Sequence, residues 1–312
     1  KLLYSLEFDE NFEAFENRKT SLEIFDSEYM FPRRAVFTKN GYGMLAGLNR
    51  EYELTKPYDL STASKVKEYS PLAFLDYVGA SISYSDNNAL FDFENSGYIL
   101  SYSSNQGDQI ALIDLSEAYN ISSANTSNTV VKTFSGTEAG IVSYNFSEDG
   151  KNIIIFDRDY KIHHFKMKNP YDMANSFLSF TLDLASEFEK TVTFKNENFY
   201  SINFSHVRYE NSGSEIIIQQ SGASNNKLLI EYKISLDIKY ELNNYSGIST
   251  SEFPVSIDFD HDDFNVSLSF SDNGSHALYY NKDKQTYYSY QLYNKYSLAP
   301  SLKKPEEFVK TA

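Results

Sequence analysis

Apolar and polar positions follow two alternating patterns along the chain. Stretches such as IVSYNFS at 141–147 and VSLSFS at 266–271 alternate residue by residue, whereas NIIIF at 152–156 is continuously apolar. Alternation predicts a strand with one exposed face, and a short continuous apolar run predicts a strand that is covered on both faces. The two patterns recur as pairs, so we expect antiparallel hairpins throughout the chain.

A polar turn that ends in glycine separates the two strands of each predicted hairpin. Asn, Asp and Ser bond their own backbone and tolerate tight turns, and glycine adopts positive φ without strain. The five turns are KNG at 39–41, ENSG at 94–97, SEDG at 147–150, ENSG at 210–213 and SDNG at 271–274, which end in Gly41, Gly97, Gly150, Gly213 and Gly274.

A second motif follows each hairpin and is clearest in YELTKPYDLSTA at 52–63. Its copies share an aliphatic residue, an aromatic residue four positions later and another aliphatic residue six positions later. The aligned aliphatic residues are Leu54, Leu115, Met167 and Leu292, and the aromatic residues are Tyr58, Tyr119, Tyr171 and Tyr296. A shortened copy, YKISLDI at 232–238, is interpreted as having lost the Pro-Tyr step, and YSLEFDENF at 4–12 is a sixth candidate copy.

The repeating unit predicts an all-β fold, a single β-propeller over 1–312 with five blades favoured and six as the alternative. Its repeats are expected at about 35–80, 81–135, 136–195, 196–255 and 256–312. Residues 1–34 contain too few strands for a blade of their own. We expect them, including EIFDSEYMF at 23–31, to complete the last blade and close the ring.

The recurring motif residues are interpreted as structural. Proline fixes φ, while Asp59 and Asp172 can bond the backbone two residues later. The four motif tyrosines are expected to wedge between adjacent blades with their hydroxyl groups in water. A platform of tyrosine rings that stacks sugars or bases is the alternative.

Composition limits the function classes. The chain has 24 Phe, 26 Tyr, no Trp and no Cys, and its net charge is −15. This charge disfavours nucleic acid and anionic membrane surfaces as partners, and the lack of Cys excludes disulfides and thiolate sites. No apolar run reaches the ~20 residues of a membrane span, and no signal peptide is visible, so no membrane insertion is expected.

The densest acidic cluster is DFDHDDF, which contains Asp258, Asp260, Asp262 and Asp263. In an extended segment Asp258, Asp260 and Asp262 would share one face and could bind Ca²⁺, although a solvated acidic loop is the preferred interpretation. His163 and His164 are strand neighbours that point to opposite faces, so they cannot share a metal ion. No cofactor is expected.

The combination of F-S-x-D-G with Y-x-L-S-x-P-[WY]-D-[IL]-S-T-A resembles propeller-type repeats of bacteriophage virion and tail proteins and of some bacterial surface proteins. The matching residues are Phe146–Gly150 with Phe165–Asp172, Phe270–Gly274 with Tyr290–Leu298, and Tyr52–Ala63. The resemblance implies a structural or adhesive role in such an assembly and a virion or extracellular location. Tyr replaces Trp throughout, and the fourth repeat departs from the Pro-Tyr-Asp step.

No nucleophile elbow, metalloprotease motif or phosphate-binding loop occurs in the sequence. We therefore predict a non-catalytic module that binds a protein or glycan partner through loops on one rim. The alternatives are a secreted glycan-active enzyme, with two carboxylates ~5–10 Å apart in the central funnel, and a bacterial cell-surface binding protein.

Overall fold

The computed structural model describes residues 19–23, 35–47, 50–68, 90–103, 107–137, 140–184, 186, 205–221, 228–254, 268–271, 273–281 and 285–292. Within these residues, twenty strands form five antiparallel sheets of four strands each. Each sheet is a meander in which strands that are neighbours in the chain are also neighbours in space, apart from one strand that comes from the N-terminal part.

Four sheets are each built from one continuous part of the chain. They contain β2 (Ala35–Thr38), β3 (Gly43–Ala46), β4 (Arg50–Leu54) and β5 (Ala63–Glu68); β6 (Leu90–Glu94), β7 (Ile99–Ser103), β8 (Gln109–Leu115) and β9 (Ala124–Thr133); β10 (Ile141–Phe146), β11 (Asn152–Asp157), β12 (Lys161–Lys166) and β13 (Phe177–Asp183); and β14 (Ser205–Glu210), β15 (Glu215–Ser221), β16 (Leu228–Leu236) and β17 (Tyr245–Pro254). The fifth contains β18 (Leu268–Phe270), β19 (His276–Asn281), β20 (Thr286–Gln291) and β1 (Lys19–Glu23).

The sheets follow one another around a ring. The first strands of neighbouring sheets contact each other, as β2 does with β6, β10 with β14 and β18 with β2. The fourth strand of one sheet contacts a short 3-10 turn of the next sheet, as β9 does with Met173–Asn175, β13 with Leu242–Asn244 and β1 with Leu60–Thr62. The protein is therefore a five-bladed β-propeller, which confirms the predicted fold class.

The N-terminal part closes the ring. β1 pairs with β20 in an antiparallel register from Lys19 opposite Tyr290 to Glu23 opposite Thr286, so the last blade combines both ends of the described chain. The closing strand is KTSLE, which lies within the predicted closing segment 1–34 and shares Glu23 with the stretch EIFDSEYMF. Leu22 packs against the core between the last and first blades. Residues 24–34 and the candidate copy at 4–12 lie outside the described residues.

The hydrophobic core lies at the seams between blades. One buried cluster joins Ile154 and Phe156 of the third blade to Ile216 and Ile218 of the fourth. Every residue of β11 is buried, as the continuous apolar run predicted, because neighbouring blades cover both faces of the second strand. Similar clusters join blades one and two, two and three, and five and one.

The fourth strands of the first four blades share a local irregularity. The pairing register shifts between Glu51 and Tyr52 opposite β5, and equivalent shifts occur opposite β9, β13 and β17. Such β-bulges increase twist and interrupt the row of backbone donors and acceptors that an outermost strand presents. The perimeter of the ring is thus poorly suited to pairing with further strands.

In an antiparallel meander, successive connections lie alternately at the two edges of the ring. One edge, called the turn edge, carries the turns between first and second strands and the corners between third and fourth strands. The opposite edge, called the connection edge, is where second strands turn into third strands and where one blade leads to the next. The blade-to-blade connections are residues 24–34, 69–89, 134–140, 184–204 and 255–267, and they differ strongly in length.

Shortening Leu22 to Ala should lower the free energy of unfolding by about 1–2 kcal/mol, because β1 loses its contact with the seam core while its backbone pairing remains. Urea unfolding followed by circular dichroism measures the effect. Ser21→Ala is the matched control, since Ser21 is an exposed neighbour on the same strand, and it should change stability by less than about 0.5 kcal/mol. Equal effects of the two changes would contradict a closing role for β1.

Candidate functional site

The glycine turns of the turn edge have a left-handed backbone. Residues Asn40, Ser96 and Ser212 have φ of 54 to 55°, and the glycines that follow have φ of 85 to 88°. Gly150 in the third blade has φ of 67°. Non-glycine residues rarely adopt such angles, so this backbone explains the Asn, Ser and Gly composition of the turns.

In the first four blades, the turn glycine lies against the ring of the corner tyrosine of the same blade. A Cβ added at Gly41 would meet the Tyr58 ring at 2.5 Å, and one added at Gly150 would meet the Tyr171 ring at the same distance. Gly97 faces Tyr119 in the same way. The tyrosine ring therefore occupies the space that a side chain on the glycine would need. Backbone bonds support each contact, as when the Tyr171 amide donates to the Gly150 carbonyl at 2.7 Å.

In the first four blades, an aromatic residue of the first strand packs against the corner tyrosine, edge-on in the first, second and fourth blades and tilted by 44° in the third. Phe37 packs against Tyr58, Phe93 against Tyr119, Phe146 against Tyr171 and Tyr209 against Tyr240, with ring centroids 5.0 to 5.6 Å apart. This aromatic residue always precedes the turn glycine by four positions. The F-S-x-D-G pattern therefore encodes a ring contact as well as a turn.

The fourth blade retains a corner tyrosine, which corrects the interpretation of YKISLDI as a shortened copy. Tyr240 has φ of 59°, donates its amide to the Gly213 carbonyl at 2.7 Å and covers Gly213 with its ring. Leu236, not Ile234, is the residue equivalent to Leu54. Within the Pro-Tyr-Asp step, Lys239 and Glu241 replace the proline and the aspartate. The alignment failed because Ile234, and not Leu236, sits two residues after an aromatic residue.

The tyrosine hydroxyl groups reach the preceding blade. The Asn95 amide of the second blade donates to Tyr171 Oη of the third blade at 3.2 Å. Tyr240 Oη accepts a bond from the Glu148 backbone in the same way. Burial, followed by the charge of Glu94, raises the pKa of Tyr171 to about 12. The rings are thus held between their own glycine and a neighbouring turn, and are poorly placed to stack ligands.

Short polar side chains cap the corners. Asp59 Oδ1 accepts the Ser61 amide at 3.1 Å, and Thr62 Oγ1 donates to the Asp59 carbonyl at 2.8 Å. In the third blade, Asp172 instead accepts bonds from the side chains of Asn169 and Asn175. The acidic residues of the repeated motif therefore serve as local acceptors in their own corners.

Lysine side chains join each of the first three blades to the corner of the next. Lys67 bonds Ser122, Lys132 donates to the Ser176 carbonyl at 2.5 Å, and Lys166 donates to both oxygens of Glu241 at 2.5 and 2.6 Å. Burial lowers the pKa of Lys132. The lysine bonds and the tyrosine hydroxyl bonds both connect neighbouring blades.

His163 and His164 point to opposite faces of β12, as their positions in a strand predicted. His163 Nε2 bonds Asp157 Oδ2 at 2.8 Å, and its Nδ1 lies 3.1 Å from Thr181 Oγ1. Asp157 also accepts two backbone amides of the following turn. Because His163 and Asp157 are both buried, this chain of bonds ties three strands together within one blade.

Two histidines are held neutral by burial. His164 Nε2 bonds Asn152 Oδ1 at 3.1 Å, and burial is the main cause that lowers its pKa to about 4. His276 of the last blade stacks on Tyr58 of the first blade with ring centroids 4.2 Å apart, and burial lowers its pKa to about 4 as well. The His276–Tyr58 pair lies at the seam between the last and first blades.

The acidic cluster Asp258, Asp260, Asp262 and Asp263 and the fifth corner residue Tyr296 lie outside the described residues. In the part of the chain that the structure describes, no three His, Cys, Asp or Glu side chains are grouped closely enough to hold a metal ion. No helix within that part is long and apolar enough to cross a bilayer.

Comparisons with known proteins return propellers of varied kinds. No family model and no curated protein matches the chain. Among solved structures, it resembles the Cps50 (Swd1) β-propeller domain of Myceliophteria thermophila, with 14% identity, TM-score 0.39, and 83% of this chain and 68% of that chain covered. It also resembles a putative 6-phosphogluconolactonase of Bacteroides uniformis (11%, 0.39, 79% and 63%) and the N-terminal domain of Nup159 (10%, 0.34, 82% and 74%).

The chain spans less than two thirds of the length of the putative lactonase. Such low identities and TM-scores carry no argument about function. The count of five blades rests on the strand pairing of this chain itself.

Gly150→Ala should lower the free energy of unfolding by at least about 2 kcal/mol, because alanine at positive φ is strained and its Cβ collides with the Tyr171 ring. Gly247→Ala is the control, since nothing lies within 4 Å of a Cβ there, and it should cost less than about 0.5 kcal/mol. In the Gly150→Ala background, Tyr171→Ala should cost less than it does alone. Additive losses in urea unfolding would contradict the proposed ring–glycine contact.

Stability should decrease as the pH falls from about 6.5 towards 4. The unfolded chain binds protons at His164 near the ordinary pKa of 6.5, whereas the folded chain binds them only near 4. Protonation therefore favours the unfolded state, by about 2–3 kcal/mol at pH 4.5 for this residue. Urea unfolding at pH 7.5 and 4.5 should show a smaller loss in His164→Gln than in the wild type. Identical pH dependence in the two proteins would exclude this contribution.

Proposed function

We propose that this propeller is a non-catalytic binding module whose partner docks on the connection edge. One observation carries the proposal: the turn edge repeats the same glycine–tyrosine contact in the first four blades, whereas the connections between blades differ strongly in length. On the turn edge, the glycine, tyrosine and capping side chains are engaged in building the blades. The connections range from the short 134–140 to the long 69–89 and 184–204. In repeat proteins, the common parts build the scaffold and the differing loops supply recognition.

The shortest connection indicates how little chain is needed to link two blades. The Phe134 amide donates to the Asp108 carbonyl, the Ile141 amide donates to the Gly107 carbonyl, and Phe134 is buried. Since seven residues complete this link, the extra length of 69–89 and 184–204 is not required for ring closure. We infer that this length serves a partner.

Charge supports a protein or glycan as the partner. A net charge of −15 repels the phosphate backbone of nucleic acid and favours neutral or basic surfaces. The resemblance of the repeats to those of phage virion and tail proteins and bacterial surface proteins supports a role in an exposed assembly of this kind. An extracellular or virion location is part of the same proposal.

The test is site-specific photo-crosslinking in the organism that makes the protein. A photoreactive amino acid is placed at exposed Ser135 or Asp159 on the connection edge, or at exposed Glu148 or Lys168 on the turn edge. We expect a discrete cross-linked partner from the connection edge, and at most a few per cent of that yield from the turn edge. Equal yields, or cross-linking only from the turn edge, would refute the docking edge.

Catalysis is tested separately. The purified protein is incubated with a panel of oligosaccharides, and new reducing ends are measured. No release above the buffer background is expected. Turnover that disappears when a single carboxylate is changed to its amide would replace the binding module with a glycan-active enzyme.

A further inference from the structure

Two tyrosines on the turn edge are not part of the corner contacts. Tyr42 and Tyr98 occupy the same position in the first two blades, directly after the turn glycine. Their exposed fractions are 50% and 49%, which is high for aromatic residues. They therefore present large ring surfaces to solvent on adjacent blades.

The repeat uses only the backbone at this position. The Leu54 amide donates to the Tyr42 carbonyl at 2.9 Å, and the Leu115 amide donates to the Tyr98 carbonyl at 2.8 Å. The equivalent residues in the remaining blades are Lys151, Ser214 and Ser275, whose carbonyls accept the same bond. Since lysine and serine serve the repeat equally well, the fold does not require an aromatic side chain here.

The surroundings of the two rings are polar. Exposed Asn40 precedes the first turn glycine, and exposed Asn95 and Ser96 precede the second. The first strands of these two blades contact each other, so both turns belong to one stretch of the turn edge. Each exposed ring therefore has exposed polar residues close to it in the same turn.

We propose that Tyr42 and Tyr98 form a binding site for a linear neutral oligosaccharide. The flat apolar face of a sugar ring stacks on tyrosine, while its hydroxyl groups bond amide side chains and the phenol group. A chain of repeating rings can meet two separate aromatic residues at once. A protein partner would instead favour one continuous apolar centre, and polar turns separate these rings.

The net charge of −15 disfavours acidic sugars, so the ligand is neutral. The corner tyrosines do not contribute, because their rings lie against the turn glycines. This site is on the opposite edge from the proposed partner surface and does not depend on it.

Isothermal titration calorimetry with cellohexaose, maltohexaose and N-acetylchitohexaose tests the proposal, with an oligogalacturonate of the same length as the acidic control. We expect at least one neutral hexasaccharide to bind. Tyr42→Ala and Tyr98→Ala should each weaken that binding about five- to tenfold, and the double variant should weaken it further. Tyr42→Phe should stay within about twofold of the wild type, since it keeps the ring.

Lys151→Ala is the matched control, because it removes a side chain at the equivalent position of the third blade, and binding should not change. Urea unfolding of every variant checks that the propeller remains folded. Exposed side chains at this position add little to stability, so every variant should be nearly as stable as the wild type. The proposal is overturned if none of the neutral hexasaccharides binds at millimolar concentration. It is also overturned if the tyrosine variants bind as the wild type does, or if only the acidic oligosaccharide binds. The cross-linking result at the connection edge is independent of all these outcomes.

Discussion

The contact between a tyrosine ring and a glycine backbone is the interaction on which the architecture depends. It requires two residues in the left-handed region, one in a turn and one in a corner, separated by 17 to 27 positions in the chain. The corner tyrosine alone would be strained in this conformation, and the turn glycine alone would be flexible. The contact between them stabilises both conformations. The contact joins the end of the first strand to the end of the third and so fixes the width of a blade.

Adjacent blades are held by different forces at different depths. Buried Ile, Leu and Phe side chains fill the seams and supply the non-directional attraction between sheets. Directional bonds then set how one blade sits on the next, as with Tyr171 Oη and Asn95 on the turn edge. Lysines add charge-assisted bonds farther out, and Lys166 with Glu241 is a half-buried example. Similar roles recur at successive seams although the residues that perform them differ.

Local patterns in the sequence predicted most of the ring. Glycine turns, continuous apolar second strands and the closing N-terminal strand follow from periodicity, because each depends on nearby residues. The error at the fourth corner arose where the signal was ambiguous. The aromatic–aliphatic step from Tyr232 to Ile234 imitates the motif two residues before Leu236, which is the true corner residue. The pairing of Phe146 with Tyr171 and the lysine bonds involve residues distant in the chain, which no single sequence reveals.

The origin of the closing strand also has a consequence for the order of folding. Thr286–Gln291 supplies the partner for Lys19–Glu23, so this pair spans almost the entire chain. During synthesis, four blades emerge as continuous segments, and each can form in turn from local contacts. The earliest strand must remain without its partner until the last blade has been made. Ring closure is therefore the slow, final step, and a chain without its last blade leaves the facing surfaces of both neighbouring blades uncovered.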